Sequence, residues 1–196
     1  VKTVSTLVQI PTYVNNLINY LNNISKKGGV LILPITDRLR GYYWPHGFYG
    51  YDIYYSSLKR SVLDSYGYGT EQLDKIIEII NNLIGKEDLK SRSIFIEILN
   101  ELNIRYIIVC EDALSEGTKF NITQIHRFLS KIPEIKFIKK FGKHVLYEVK
   151  SVSKAFYPIM KSISLELLSD LHDINVYKNR TYQFKYFSPQ KILEKD

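Results

Sequence analysis

The sequence of 196 residues is poor in three residue types, with one cysteine, one methionine and one tryptophan. Because Cys110 is alone, no disulfide can form within the chain, which excludes the class of small disulfide-stapled domains. No apolar run approaches the roughly 18 residues of a membrane-spanning helix. The only methionine is Met160, so we expect the chain to be a processed or excised piece of a longer protein.

Motifs for metal, nucleotide or thiol chemistry are also lacking. None of the four histidines lies at ligand spacing from another histidine, a cysteine or an acidic residue, so we predict no metal and no cofactor. The segment 67–69 precedes a predicted helix but lacks the third glycine of a dinucleotide fingerprint. Two acidic residues follow Cys110 and disfavour its thiolate, so we interpret Cys110 as a small buried residue.

The chain is basic, with 27 Lys and Arg against 20 Asp and Glu and a net charge of +7. This charge fits an acidic glycan, an anionic lipid surface or a nucleic acid as a partner, and it also fits plain solubility. Between 136 and 143 the lysines alternate with apolar residues on a predicted strand and form no uniform basic stripe. Nucleic acid is therefore not favoured as a partner.

The hydrophobic pattern alternates between helical spacing and short continuous apolar runs, which predicts an α/β fold. In the first helix the apolar residues fall on one face, and Thr12 is expected to cap its start. The run GGVLILPI is typical of a strand buried on both faces. The predicted order is helix 12–25, strand 28–35, loop 36–69, helices 70–85 and 91–103, strand 105–112, helix 121–132, and strands 135–142 and 143–149.

We predict a mixed, mainly parallel sheet with helices on both faces and an antiparallel hairpin at one edge, turned at Gly142-Lys143. Residues 1–150 are predicted to form one soluble α/β domain. Residues 151–196 are interpreted as a C-terminal extension, and 180–188 alternates like a half-exposed strand. The stretch NVYKNRTYQFKYFSP within the extension is similar to the opening strands of a following β-rich domain.

The long predicted loop 36–69, in which we expect a short helix near 54–64, holds the most unusual composition in the chain. Residues 42–55 read YYWPHGFYGYDIYY, in which six of the fourteen residues are tyrosine. Three interpretations stay open: a sugar-binding aromatic surface, an aromatic collar on a membrane, and a segment that packs on the core. Loops of this length inside a compact domain are usually functional or docking elements.

Asp37 and Arg38 directly follow the first strand, so we expect them at the carboxyl edge of the sheet beside the aromatic residues. Polar groups that bind hydroxyls and rings that stack on apolar sugar faces together make a sugar site, whereas a surface salt bridge is the plain alternative. The predicted ligand-binding residues are Asp37, Arg38, Tyr43, Trp44, His46, Tyr49 and Tyr51.

Three N-x-S/T sequences mark candidate glycosylation sites at Asn23, Asn121 and Asn179. Such sites suit an exported surface. Asn121 is also the expected cap of the helix 121–132, and a glycan there is expected to compete with capping.

The order of segments resembles the extracytoplasmic domain of archaeal polytopic membrane proteins of the GT-C glycosyltransferase kind. The segments that carry the resemblance are PTYVNNLINYLNN, GGVLILP, the aromatic segment, LNELNIRYIIVCED and FIKKFGKHVLYEV, within residues 7–149. The resemblance implies a soluble domain at the outer face of the cell membrane, with its own membrane portion as a partner. Because the catalytic carboxylates of GT-C enzymes lie in loops between membrane helices, no catalytic residue carries over to this chain.

Three functions follow as hypotheses. The first is a non-catalytic outer domain of a membrane-anchored glycosyltransferase-like protein, which binds or positions a glycan or a lipid-linked sugar. The alternative is a structural domain that packs on its own membrane portion and binds no small ligand. The second alternative is a free-standing hydrolase that uses Asp37, Arg38 and His46 at the strand edge.

Overall fold

A computed structural model describes residues 9–35, 41–44, 47–49, 53–64, 71–113 and 121–150. No helix within these ranges has the length and apolar composition needed to cross a membrane. The elements in chain order are α1 Thr12–Asn23, β1 Gly29–Leu33, β2 Tyr42–Trp44, β3 Gly47–Tyr49, α2 Ile53–Ser57, β4 Val62–Leu63, α3 Glu71–Lys86, α4 Leu89–Glu101, β5 Ile104–Cys110, α5 Ile122–Ser130, β6 Ile135–Phe141 and β7 His144–Val149.

Five of the strands form one mixed sheet in the order β4-β1-β5-β7-β6. Strand β1 pairs in parallel with β4 and β5, while β7 pairs antiparallel with both β5 and β6. The predicted mixed sheet with an antiparallel hairpin at one edge is therefore confirmed. The hairpin turns at Gly142, whose φ of +54° suits a glycine because it has no Cβ.

The sheet separates two hydrophobic cores, as expected for a strand that is apolar along its whole length. Leu31 and Leu33 of β1 face the core that α3, α4 and α5 cover. Val30 and Ile32 face the opposite core, which is covered by α1, α2 and aromatic residues of β2. All five residues of β1 are buried, so the prediction of a strand buried on both faces is confirmed.

The helix starts differ in part from the sequence-based predictions. Asn121 caps α5 as predicted, since its side chain accepts a hydrogen bond from the N–H of Gln124. Thr12 does not cap α1, because α1 follows Pro11 and has no side-chain cap. Helix α4 begins at Leu89, before the predicted start at 91, because Asp88 accepts from the N–H of Ser91 at 2.6 Å.

The predicted short helix near 54–64 is found as α2, whereas the strands within the predicted loop 36–69 correct that prediction. Strands β2 and β3 form a separate antiparallel pair, a short helix α2 follows, and β4 joins the main sheet beside β1. These elements are too short to show a period in the sequence, and packing on the sheet defines them. Positions 36–40, 45–46, 50–52 and 65–69 of this segment and the extension 151–196 lie outside the described residues.

Arg60 stabilises the C-terminal end of α1, where the last carbonyl groups have no partner within the helix. Its guanidinium donates to the carbonyl oxygens of Leu21 at 2.9 Å, Ile24 at 2.8 Å and Lys26 at 2.7 Å. The guanidinium carbon also lies 5.2 Å from the ring centre of Tyr106. Because the last turn of α1 has no basic residue of its own, Arg60 supplies the positive charge that the helix end favours.

We expect Arg60→Lys to lower the free energy of unfolding by about 2 kcal/mol, because an ammonium keeps the charge but cannot reproduce the fork of donors. Urea denaturation of both forms measures the difference. The matched control is Lys59→Met, which changes an exposed neighbour and should leave stability nearly unchanged. Equal midpoints for Arg60→Lys and the parent chain would contradict the role of Arg60.

Candidate functional site

A buried polar cluster lies where β5 ends and β7 begins. Its members come from five separate segments, and we call them the Asp112 network: Tyr13 of α1, Trp44 of β2, Tyr54 of α2, Asp112 after β5, and His144 of β7. The strand register brings the ends together, because Cys110 pairs with His144 across β5 and β7.

The Asp112 carboxylate is the centre of this network. It accepts hydrogen bonds from the Tyr13 hydroxyl and from Trp44 Nε1, the latter at 3.1 Å, and His144 Nε2 lies 2.7 Å from its other oxygen. Its side chain is only 8% exposed. Three partners therefore replace the water that the buried carboxylate has lost.

His144 has no exposed surface and sits within a cage of tyrosine rings. The ring centres of Tyr13, Tyr42 and Tyr54 lie 5.2 to 5.9 Å from its own. The Tyr54 hydroxyl is hydrogen bonded to Nδ1, so both ring nitrogens of His144 have partners.

The electrostatics favour a charged pair. Burial by itself would lower the pKa of His144, but the Cys110 sulfur and the Asp112 carboxylate together raise it from 6.5 to about 10. Burial also pushes the pKa of Asp112 upward, and the hydrogen bonds and charge of His144, with the Tyr13 hydroxyl, outweigh this and hold it below its usual value.

As an imidazolium, His144 donates from Nε2 to Asp112 and from Nδ1 to Tyr54. Cys110 lies beside this pair, accepts a hydrogen bond from Tyr42 at 3.9 Å and is fully buried, which confirms its predicted interpretation as a buried residue.

The neighbouring acid, Glu111, takes part in a second cluster. Its carboxylate lies 2.7 Å from the Lys140 ammonium and 3.5 Å from His126 Nε2, and His126 Nδ1 is hydrogen bonded to the Tyr147 hydroxyl at 2.6 Å. Burial lowers the pKa of His126 and outweighs the opposing effect of Glu111. His126 is therefore neutral at pH 7, in contrast to His144.

An open groove of about 730 Å³ runs between α1 and β6, and we call it the α1–β6 groove. Its volume falls within the range of small-ligand sites. The lining residues are Tyr13, Asn16, Asn19, Tyr20, Asn23, Ile24, Lys139, Lys140, Phe141 and Gly142. The groove is mostly amide, aromatic and cationic, and the Tyr13 ring connects it to the Asp112 network.

The structure places part of the aromatic segment in the core. Tyr42 and Tyr54 are fully buried and Trp44 is 4% exposed, while Tyr55 is 43% exposed. The expectation that the Trp44 ring stacks on a sugar is corrected, since this ring stacks on Tyr42 and its N–H binds Asp112.

The remaining predicted ligand residues keep their status as predictions. Tyr43 lies on β2 and Tyr49 lies on β3, and only the backbone of these two residues is described. Asp37, Arg38, His46 and Tyr51 lie outside the described residues.

Two of the three candidate glycosylation sites fall in described parts of the chain, and both are exposed. Asn23 ends α1, and Asn121 caps α5 through Oδ1, which accepts from Gln124 at 2.8 Å. Because an N-linked glycan attaches to Nδ2, the expected competition between glycan and cap at Asn121 is corrected. Asn179 lies outside the described residues.

The sequence did not reveal the two acid–histidine pairs, Asp112–His144 and Glu111–His126. Spacing along the chain identifies only pairs that are close in sequence. Asp112 and His144 are separated by 32 positions, and their approach depends on the register of β7 against β5. The predicted hairpin was the available signal, because its second strand, β7, begins beside the end of β5.

The stability of the fold should depend on pH through His144. A folded pKa raised from 6.5 to about 10 means that the stabilisation is complete below pH 6.5 and is lost as the pH rises towards 10. We expect the free energy of unfolding to fall by roughly 1 kcal/mol per pH unit between pH 6.5 and 9. Denaturant titrations across this window measure the slope. Asp112→Asn, which keeps the shape and removes the charge, should flatten it, and equal slopes would contradict the assignment of the slope to the Asp112–His144 pair.

Trp44 fluorescence should report the attachment of β2 to Asp112, since Trp44 is the only tryptophan in the chain. Asp112→Ala removes the acceptor of its N–H and leaves the His144 charge buried without a partner, a change that costs about 3–5 kcal/mol. We expect a red-shifted emission and stronger acrylamide quenching at low denaturant. The control is Glu111→Ala, one residue away on the opposite face, and an identical shift in both variants would contradict the assignment.

A scan against protein-family models finds no match, and no curated protein matches the sequence. Among solved structures, the chain is similar to the cryo-EM structure of arabinofuranosyltransferase AftD from Mycobacteria, at 16% identity and a TM-score of 0.59. A mutant form of AftD matches at 15% identity and a TM-score of 0.61. The matches cover 74% of this chain but only 12% and 13% of the AftD chains.

A further match, the C-terminal globular domain of an oligosaccharyltransferase from Archaeoglobus fulgidus, has 13% identity and a TM-score of 0.42 over 73% of this chain, and no conclusion rests on it. At such identities the likeness to AftD is one of fold. The chain thus shares its fold with one segment, about an eighth, of a mycobacterial arabinofuranosyltransferase.

Proposed function

We propose that the chain is a non-catalytic outer domain of a membrane-anchored, GT-C glycosyltransferase-like protein, and that it binds or positions a glycan or a lipid-linked sugar. In this proposal the domain lies on the extracytoplasmic side, next to the membrane portion of its own parent chain. The observation that carries the proposal is the fold shared with a segment of AftD, at TM-scores of 0.59 and 0.61 over 74% of the chain.

The state of the two acid–histidine pairs supports a non-catalytic role. General acid–base catalysis needs a group within hydrogen-bond reach of a substrate. His144 has no exposed surface, and both of its nitrogens have partners. In the second cluster, Glu111 is held by Lys140 at 2.7 Å. The Asp112–His144 pair is therefore a structural cluster whose bonding capacity is used, and the Glu111 carboxylate of the second pair is neutralised by a lysine.

The α1–β6 groove supports the binding part of the proposal. Three asparagines and two tyrosines line it, and these side chains supply paired donors and acceptors together with ring surfaces. That combination suits sugar hydroxyls and the apolar faces of pyranose or furanose rings. The buried aromatic residues of the segment 42–55 support the α1–β6 groove from the hydrophobic core.

A second candidate function is a domain that docks on its own membrane portion. The observation that favours it is Phe137, which is 55% exposed on the edge strand β6 and is flanked by exposed lysines. An aromatic residue with neighbouring cations suits a membrane–water interface. This candidate predicts vesicle binding without saccharide binding.

The test is a binding and turnover assay on the 196-residue chain. The probes are an arabinofuranosyl hexasaccharide, mannopentaose and a polyprenyl phosphate-linked hexose in detergent micelles. We expect millimolar or tighter binding of at least one saccharide, measured by heteronuclear NMR shifts, with no change in glycosidic linkage on chromatography.

Transfer or hydrolysis of a probe by the chain alone would contradict the non-catalytic role. Absence of binding to every saccharide, together with binding to anionic phosphatidylglycerol vesicles that Phe137→Ser abolishes, would replace the proposal with the docking function. Phe137→Ser alters an exposed side chain, so its fold should be retained.

A further inference from the structure

The two sides of helix α1 have opposite chemistry. Its buried side consists of aliphatic residues, and its exposed side carries asparagine and tyrosine. Tyr13, Asn16, Tyr20 and Asn23 follow one another at intervals of three and four residues, so they form one stripe along the helix. This stripe is the first wall of the α1–β6 groove.

The second wall comes from β6 and its turn. The Phe141 ring is 8% exposed and packs against the Tyr20 ring, with ring centres 5.4 Å apart. The Lys139 ammonium lies 5.1 Å from the centre of the Phe141 ring. Tyr20 itself is 37% exposed and lines the groove.

Contacts of Tyr13 with Asp112 and Gly142 hold one wall of the groove in place. The Tyr13 hydroxyl is tied to Asp112, and the Tyr13 ring lies directly on Gly142, where an added Cβ would be 2.5 Å from Tyr13 Cγ. Burial and the Asp112 carboxylate raise the pKa of Tyr13. A wall that is fixed before binding loses little conformational freedom when a ligand arrives.

The charge of the groove is positive. No carboxylate is among its lining residues in the described part of the chain. Lys140 is paired with Glu111 at 2.7 Å, whereas the contact found for Lys139 is the face of the Phe141 ring. A cation beside amides and an open ring suits a sugar that carries a negative group.

We propose that the α1–β6 groove binds an anionic saccharide, a sugar chain bearing a phosphate or a carboxylate. Asn16 and Asn19 bind its hydroxyls, Tyr20 stacks on a sugar ring, and Lys139 neutralises the anionic group. The proposal rests on the proposed function and adds to it the location and the ligand class. A soluble sugar phosphate and a lipid-linked sugar phosphate share this chemistry.

The test compares mannopentaose with mannopentaose 6-phosphate on the 196-residue chain, by NMR titration. The variants are the double change Asn16→Ala with Asn19→Ala, and Lys139→Gln. The matched controls are Asn15→Ala, exposed on the same helix, and Lys136→Gln, exposed on the same strand, both outside the groove. Alanine favours a helix over asparagine, so the double variant should fold.

We expect the double asparagine variant to bind both saccharides about tenfold more weakly, because it loses two hydrogen-bonding side chains. Lys139→Gln should weaken only the phosphorylated saccharide, by about threefold to tenfold, and should reduce the salt dependence of its binding. Both controls should bind as the parent chain does. Phosphatidylcholine vesicles containing a polyprenyl phosphate-linked mannose then distinguish a lipid-linked source from the soluble sugar phosphate.

Unchanged affinity in the double asparagine variant would overturn the groove as the site while leaving the proposed function intact. Equal effects of Lys139→Gln on both saccharides would overturn the anionic ligand class. If the parent chain binds neither mannose probe nor any saccharide of the panel, the proposed function fails together with this proposal.

Discussion

The described fold depends on the carboxylate of Asp112, whose side chain is 8% exposed. Asp112 lies at the end of β5, and its three hydrogen bonds reach α1, β2 and β7. Removing a charge from water costs several kcal/mol, and the cost is offset only when every partner is in place. The Asp112 network therefore holds the hairpin, the first helix and the aromatic segment in one arrangement. Loss of one partner leaves an unpaired charge in a space filled by aromatic rings.

Glu111 and Asp112 occupy the turn that follows β5, and their side chains have different environments. Asp112 turns towards α1, where His144 has no exposed surface and its pKa is raised. Glu111 turns towards α5 and Lys140, where burial lowers the pKa of His126. His144 in the Asp112–His144 pair is thus charged, whereas His126 in the Glu111–His126 pair is neutral. The charged pair is the buried one because its partners are complete.

The structural network and the proposed binding groove meet at Tyr13. Its hydroxyl belongs to the Asp112 network, and its ring lies over Gly142 and lines the α1–β6 groove. A glycine at the turn is needed both for the positive φ and for this close approach. The aromatic residues that suggested a sugar surface therefore act from within: Trp44 and Tyr54 hold the network, which in turn positions a wall of the groove.

The sequence by itself determined the layered α/β fold, because continuous apolar runs such as β1 can be buried only between two layers of helices. It also determined the hairpin turn at Gly142 and the cap at Asn121, since these depend on local backbone chemistry. Only the tertiary structure decided that Trp44 is buried and that Asp112 meets His144. Those contacts join segments that are distant in the chain, 99 positions for Tyr13 and Asp112, and depend on strand register and packing, which no local pattern encodes.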